Sequence, residues 1–337
     1  MARRRIIPLF IPHEGCPNQC VFCDQRKISG KTTPVTPEQV REQILSSLPA
    51  AGSDCEIAFY GGSFTALPVE TQRELLAAVA PFLASGAVDS IRLSTRPDAI
   101  DDRICELLRA YHVTTVELGC QSMDPRVLAL SRRGHSPEDT VRAVAVLRQW
   151  GFSVVLQMMT GLPGDSGAES MKTAEEIIRL RPDGVRIYPT VVLRGTELER
   201  QMEAGRYQPQ SVEEAVALCA DLYSRFLSAE IPVIRLGLNP TEDLSGGEAV
   251  AGAYHPALGE LVLSELYLRR ARELLGPGSG KTAVLTVHPK RVSVMAGQKR
   301  CNLIQLQREL GLRRIRILPT ETQLWEIHGY WETERTL

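Results

Sequence analysis

Apolar runs of strand length alternate along this chain with amphipathic stretches of helical period. That alternation constrains the fold more than any other feature, because parallel strands need a crossover segment, usually a helix, between them. Arg5–Pro12 reads as the first strand, and Thr36 caps a helix running to about Leu48, with Pro37 in its first turn. Further strands are predicted at Glu56–Tyr60, Ser90–Ser94, Thr114–Leu118, Ser153–Met159 and Gly184–Tyr188. Helices are predicted at Val69–Ala84, Asp101–Tyr111, Pro125–Leu130, Pro137–Trp150, Ala168–Leu180 and Val212–Ala229. Six βα units without a clear seventh and eighth give an α/β fold, an incomplete (β/α)6 barrel within residues 1–250.

In such a barrel the chemistry gathers at the C-terminal ends of the strands. The unusual residues fall there: a cysteine loop after the first strand, then Gly61-Gly62-Ser63, Ser94–Asp98, Glu117–Ser122 and Gly161–Gly164. Each glycine taken singly is also what a turn needs.

The cysteine loop reads Gly15-Cys16-Pro17-Asn18-Gln19-Cys20-Val21-Phe22-Cys23, a C-x3-C-x2-C spacing with no fourth cysteine nearby. Structural zinc sites take four protein ligands, and common ferredoxin spacings supply four thiolates per cluster. Three thiolates from Cys16, Cys20 and Cys23 suit a 4Fe–4S cluster with one iron left open to chelate a small molecule. A zinc knuckle completed by His13, or three unrelated thiols, are the alternatives. Cys55, Cys105, Cys120, Cys219 and Cys301 are scattered and read as buried thiols.

Net charge is −1 over 337 residues, with no run of eighteen apolar residues and a basic start too short in apolar length for a signal peptide. A soluble, cytoplasmic protein without a disulfide framework is expected. The near-zero charge hides an asymmetry. Residues 281–337 hold ten Lys or Arg against five Glu, +5, and the other 280 residues hold 29 basic against 35 acidic groups, −6. Basic runs at Lys290-Arg291, Lys299-Arg300 and Arg313–Arg316, with Trp325, Tyr330 and Trp331 nearby, suit RNA as well as a solvated face.

Residues 251–337 are expected to form a C-terminal helix, Pro256–Leu275, and a small α+β appendage with elements at Ala283–Val287, Asn302–Leu310, Arg314–Leu318 and Gln323–Ile327. Gly276–Gly280 reads as a flexible linker. Its ending, Gly280-Lys281-Thr282, imitates a phosphate loop, but Leu275 stands where the first glycine should be and a strand follows.

Together the cysteine loop, Leu93–Asp98, Glu117-Leu118-Gly119, Gln121-Ser122, Arg133-Gly134-His135, Met158–Gly164, Ile187–Thr190 and Arg194–Leu198 resemble the radical S-adenosylmethionine (radical SAM) core of the Elongator catalytic subunit. The resemblance covers roughly residues 7–220. A weaker similarity, through Gly119–Ser122 and Gly161–Pro163, reaches the oxygen-independent coproporphyrinogen oxidases. The Elongator subunit has longer cysteine spacing and a C-terminal acetyltransferase-like domain. Here a little over a hundred residues follow the match, too few for that domain, so a shorter bacterial group with this core and a small tail resembles the chain better.

The resemblance implies a radical SAM barrel in which Cys16, Cys20 and Cys23 hold the cluster and S-adenosylmethionine (SAM) occupies the open iron. Reductive cleavage of SAM to a 5′-deoxyadenosyl radical follows, with a reducing electron donor as partner. It implies that Gly61, Gly62 and Ser63 approach the methionine amino group and that Arg133 pairs with its carboxylate. Gln121 and Gln157 would bond the ribose, and Gly161 would admit the adenine. Phe22 either shields the cluster or packs in the core. Glu117, in a buried strand, needs a cationic partner such as Arg92 or Arg186. His135 serves SAM or caps the next helix, and Tyr188 is a radical relay, a substrate contact or a core residue. The expected function is modification of tRNA or another RNA bound through the basic C-terminal segment. The alternatives are radical chemistry on a small molecule or cofactor precursor, and a zinc-bound RNA-binding module without radicals.

Overall fold

The computed structural model describes residues 5–11, 20–24, 35–51, 54–241, 244–278 and 280–332. Cys16 and His13 lie outside the described residues. The chain divides into two compact units, one of residues 1–215 with Arg225–Pro256 and one of Val216–Ser224 with Ala257–Leu337.

The first unit is built on β1 (Arg5–Ile11), β2 (Cys55–Gly61), β3 (Ser90–Thr95), β4 (Val113–Gln121), β5 (Ser153–Thr160) and β6 (Gly184–Pro189). A short pair, β7 (Val191–Leu193) and β9 (Ala249–Gly252), runs antiparallel, and β8 (Val233–Leu236) lies between them in sequence. The main sheet has order β1-β2-β3-β4-β5-β6-β8, and every neighbouring pair is parallel. Its edges, β1 and β8, do not pair, so the barrel is open. The six expected strands are present, and β8, too short to stand out in the sequence, adds a seventh.

Helix starts follow the local signals. Thr36 Oγ1 accepts from the Gln39 amide at 3.3 Å and Gln39 Oε1 accepts from the Thr36 amide at 3.1 Å, a reciprocal cap at the head of helix Pro37–Ala51. Ser136 with Asp139 and Ser211 with Glu214 form the same box on Pro137–Gln149 and Val212–Ser228.

One face of the sheet is apolar throughout. Ile57, Phe59, Ile91, Leu93, Val116, Leu118, Val154, Leu156, Val185 and Ile187 are all buried on it. Successive residues of a strand point to opposite faces, so the alternate positions line the barrel interior, and polar residues stand among them. Registers place Glu56 beside Ser90, Ser94 beside Glu117, Gly119 beside Gln157 and Gln157 beside Arg186. Parallel strands are usually apolar on both faces; here the interior face carries the chemistry.

The second unit contains β10 (Thr282–Val287), β11 (Arg314–Pro319) and β12 (Ile327–Trp331) in the order β11-β10-β12. β10 is parallel to β11 and antiparallel to β12. Ala283, Leu285, Val287, Ile315 and Ile327 share a core with Tyr267, Leu268, Ala271 and Leu275 of helix Leu258–Leu275 and with Leu303 and Leu306 of helix Cys301–Leu310. Two expectations are corrected here. The last strand starts at Ile327, because Gln323–Glu326 closes a turn, with the Glu326 amide on the Gln323 carbonyl at 3.0 Å. The glycine run read as a flexible linker is tied down instead. The Gly278 amide donates to Leu310 O (3.2 Å), the Gly280 amide to Gly311 O (2.8 Å), and a Cβ on Gly278 would strike the Trp331 ring.

No helix among the described residues is long and apolar enough to cross a membrane. Cys55, Cys105, Cys120 and Cys219 are buried as expected, whereas Cys301 is exposed.

Candidate active site

Cys20 and Cys23 sit on one turn, closed by the Cys23 amide on Cys20 O at 3.1 Å. That turn is anchored twice. The Val21 amide donates to Ser131 O at 3.1 Å, and Val21 O accepts from the Leu198 amide at 2.8 Å. The first bond brings the cysteine turn against the segment carrying Arg133. Arg133 Nη1 then reaches Cys20 Sγ at 3.6 Å, while Nη2 donates to Gly119 O at 2.9 Å. Val21 also packs with Val192 and Leu198, and Phe22 lies against that cluster while lining the adjoining cavity. Phe22 thus packs on apolar neighbours and faces the cavity at once.

The cavity opens at the C-terminal ends of the strands. Cys20, Cys23, Gly61, Gly62, Ser63, Gly119, Gln121, Arg133 and Gln157 all line it. Apart from Gly119, to which sequence reasoning assigns no role, these are the residues picked from sequence; of that set Cys16 is not described, and Gly161 is missing from the lining. Gly161 has φ +71° but is covered, since its carbonyl accepts from Tyr207 Oη at 2.6 Å and a Cβ there would meet Gln210 Oε1 at 3.0 Å. It does not line the cavity.

Two glycines are indispensable for different reasons. A Cβ on Gly61, at φ +103°, would come within 2.5 Å of Ile11 O, so this glycine lets β1 and β2 end side by side. A Cβ on Gly119 would come within 2.8 Å of both Arg133 Nη2 and Gln121 Nε2. Gly119 thus keeps open the space into which those two side chains turn.

Beyond Gly119 the β4 register shifts, and Gln121 takes φ +63°. This left-handed kink returns the Gln121 side chain to the cavity, where its Oε1 accepts from Gln157 Nε2 at 3.1 Å. His135 holds the same kink. Its Nε2–H donates to Cys120 O at 3.2 Å, and the Ser122 amide donates to the same carbonyl at 2.7 Å. His135 Nδ1 is buried with no hydrogen-bond partner among the described residues. Burial, then the Arg133 charge, push the imidazole down to about 4, so it is neutral near pH 7. Ser136, not His135, caps the next helix.

Sequence reasoning asked for one partner for Glu117 and the structure supplies three. Arg92 Nη1 donates to Glu117 Oε1 at 2.9 Å, Arg186 Nη2 donates to it at 2.8 Å, and Tyr60 Oη donates to it at 3.1 Å. Arg92 Nε also bonds Glu56 at 2.6 Å, and Arg186 Nη1 donates to Tyr188 Oη at 3.3 Å. Two carboxylates thus balance two guanidinium groups across β2, β3, β4 and β6. Burial works against charge on Arg186, but the Glu117 carboxylate outweighs it and holds the guanidinium firmly protonated. Burial and Glu117 raise Tyr60, which stays a phenol.

Tyr60, Glu117, Arg186 and Tyr188 line the cavity alongside Leu238, Asn239 and Thr241. Sequence reasoning left Tyr60 and the last three out. A period-two pattern of polar residues within apolar strands (Glu56, Tyr60; Arg92, Ser94; Glu117; Gln157; Arg186, Tyr188) was the available signal for the strand residues. No local pattern marks Leu238–Thr241.

A barrel open at the ends of its strands, with a cysteine turn and an arginine at its mouth, defines a class that the comparisons make explicit. The radical SAM superfamily matches residues 10–177, and the radical SAM C-terminal domain matches residues 182–268; the chain belongs to the radical SAM superfamily. An uncharacterized protein of Methanocaldococcus jannaschii is 30% identical over 235 residues, 66% of this chain and 72% of that protein. The tRNA uridine(34) acetyltransferase of the same organism is 26% identical over 255 residues, 63% of this chain and 47% of that enzyme. The solved structure of Methanocaldococcus infernus Elp3 lacking its N-terminal segment superposes with a TM-score of 0.62 at 25% identity, covering 79% of this chain and 63% of that one. The chain therefore resembles the core of the Elongator catalytic subunit, and it spans about half the length of the tRNA uridine(34) acetyltransferases it matches.

As a member of this superfamily the protein is an enzyme, and its cofactors are a 4Fe–4S cluster and SAM. The cavity fits both. Two thiols stand on one turn with a guanidinium N–H aimed at one sulfur, the kind of interaction that tunes cluster thiolates. The space kept free of a Cβ at Gly119 lies beside that guanidinium. No cluster of three or more His, Cys, Asp or Glu suited to a metal occurs elsewhere among the described residues.

Proposed function

We propose that this protein cleaves SAM reductively in order to modify tRNA or another RNA. The observation that carries the reading is the convergence of Cys20, Cys23, Gly119 and Arg133 on one cavity at the strand ends of a radical SAM barrel. Cys16, Cys20 and Cys23 hold the cluster. With SAM bound and one electron from a reducing donor, the pair supplies a 5′-deoxyadenosyl radical for hydrogen abstraction.

The chain's own residues bind and orient. Arg133 neutralises the methionine carboxylate, a charge-assisted interaction. Gly61, Gly62 and Ser63 form the wall facing the methionine amino group, and Gln121 with Gln157 offers amide groups to the ribose. Gly161 acts on adenine only indirectly, because Tyr207 and Gln210 cover it. Glu117, Arg186, Tyr60 and Tyr188 form a polar wall of the same cavity, with the Glu117 carboxylate set against the Arg186 guanidinium and the Tyr60 hydroxyl.

RNA is supported by the relatives that carry tRNA uridine(34) acetyltransferase in their names. It is also supported by the +5 balance of residues 281–337. The site of action is the cytoplasm, where the free thiols stay reduced. Nucleoside mass spectrometry of RNA from cells lacking the gene tests the substrate. A modified nucleoside that disappears on deletion, and returns with the wild type but not with Cys20→Ala, is the expected result. An unchanged nucleoside inventory shifts the substrate to a small molecule.

A further inference from the structure

We propose that the face of the β11-β10-β12 sheet carrying Arg314, Arg316, His328 and Tyr330 is a docking surface for single-stranded RNA; this rests on the RNA reading above and assigns it a place. One face of this sheet packs on helices Leu258–Leu275 and Cys301–Leu310; on the opposite face the central strand is itself buried, Val284 at 1% and Thr282 at 4%, while side chains of the two outer strands are exposed. Residues of the inner face belong to the core. By the alternation along each strand, Arg314, Arg316, Val284, His328 and Tyr330 stand on the other. The register aligns them in rows, with Arg316 and Tyr330 on either side of Val284.

The chemistry of this face is unusual for a solvated surface. Tyr330, on the edge strand β12, is 49% exposed, and Arg314, Arg316 and His328 are exposed as well. Arg314 forms no ion pair with any described residue. Among the described residues Arg316 pairs with Glu332 alone, at 2.6 Å, both side chains being more than 40% exposed. Such an exposed pair is easily exchanged for another anion.

A phenol and an imidazole two residues apart, about 7 Å along β12, present two stacking surfaces in line. Two guanidinium groups on β11 flank them. Aromatic faces take up unpaired bases, and arginines take up phosphates or stack themselves. Duplex RNA hides its base faces and cannot use the phenol or the imidazole, so the geometry selects a single strand. The charge sign agrees. Within residues 280–332 there are nine Lys or Arg against four Glu, so the surroundings of the face attract polyanions.

The test is fluorescence anisotropy of the full-length protein with a labelled single-stranded 12-mer and with its duplex, over a salt series. Tyr330→Ala is expected to weaken single-strand binding roughly ten- to hundredfold, while Tyr330→Phe, which keeps the ring, restores it. Arg314→Ala with Arg316→Ala should lower the slope of log affinity against log salt by about 1.4, which is about 0.7 for each phosphate that the variant leaves unneutralised. Glu332→Gln, which frees Arg316 and removes a negative charge, should tighten binding. Lys299→Glu with Arg300→Glu, at the head of helix Cys301–Leu310, separates this face from basic charge elsewhere in the unit. If that double variant abolishes binding while Tyr330→Ala and the Arg314/Arg316 pair leave it unchanged, RNA binding stands and the sheet face is wrong. Equal affinity for duplex and single strand, insensitive to Tyr330→Ala, also overturns it. If the wild type binds neither RNA at low salt, both this assignment and the RNA substrate fall.

Discussion

Arg186 grips Glu117 over the intervening strand β5. Its Nη2 donates to Oε1 at 2.8 Å, and its Nε lies 2.6 Å from Oε2, off the hydrogen-bond direction. The two residues belong to strands separated by β5, and neither side chain is more than 13% exposed. Removing one partner of such a pair leaves a buried charge short of compensation, although Arg92 and Tyr60 remain on Glu117. Arg186→Ala should cost about 3–5 kcal/mol of stability, read as a lowered urea midpoint with an unchanged slope. Arg186→Lys should recover only part, because one ammonium cannot span Glu117 and Tyr188 together. A midpoint unchanged in Arg186→Ala would show that the pair contributes nothing net.

Iron content separates the cysteines. Cys16→Ala, Cys20→Ala or Cys23→Ala should each abolish the cluster's brown colour and its iron after anaerobic reconstitution. Cys120→Ala and Cys219→Ala should retain both, since burial pushes those two thiols up to about 12 and a thiolate is what binds metal. Iron lost from Cys120→Ala as fully as from Cys20→Ala would reassign the ligands. A colourless protein that instead takes up zinc would favour the zinc-bound module.

Arg133→Ala should retain iron and weaken SAM binding by about 1.5–3 kcal/mol, the worth of a hydrogen bond to a charged group. Equilibrium dialysis with SAM on the reconstituted variant measures it. The same change removes the donor on Gly119 O and the approach to Cys20 Sγ. A change in the cluster's reduction potential should therefore accompany the weaker affinity. Wild-type affinity in this variant would exclude Arg133 as the carboxylate partner.

His135 makes stability depend on pH. Its folded pKa of about 4 lies below the ordinary 6.5, so between those values the unfolded chain binds the extra proton and the folded chain does not. The contribution is complete above about pH 6.5 and is lost as pH falls toward 4, on the order of 3 kcal/mol in all. His135→Gln, which keeps a donor for Cys120 O, should flatten the fall in urea midpoint over that range. An equally steep fall in the variant would assign the proton uptake to other groups.

Much of the fold was legible locally. Strand and helix periods, capping residues and turn glycines act within a few positions, so the six βα units and the cap at Thr36 could be read directly, and the structure adds the reciprocal bond to Gln39. β8 and the β7–β9 pair were not legible, because strands of three or four residues carry too little period to detect. The glycine run at 276–280 looked like a linker because glycine is permissive everywhere; only the Leu310 and Gly311 carbonyls and the Trp331 ring reveal it as a fastened turn.

The sequence by itself determined the chemistry: three cysteines at a fixed spacing, turn glycines at the strand ends, and a carboxylate, Glu117, that had to find a cation. These are statements about residue type and short-range spacing, and chain connectivity enforces them. Only the tertiary structure decided which residues meet. Sheet order and register brought Arg92 and Arg186 together on Glu117, turned Arg133 onto Gly119 and Cys20, and left Gly161 behind Tyr207 and Gln210. The physical reason is that side-chain partnership in a barrel depends on strand stagger and on the curl of neighbouring segments, and these are fixed by packing between residues far apart in the chain.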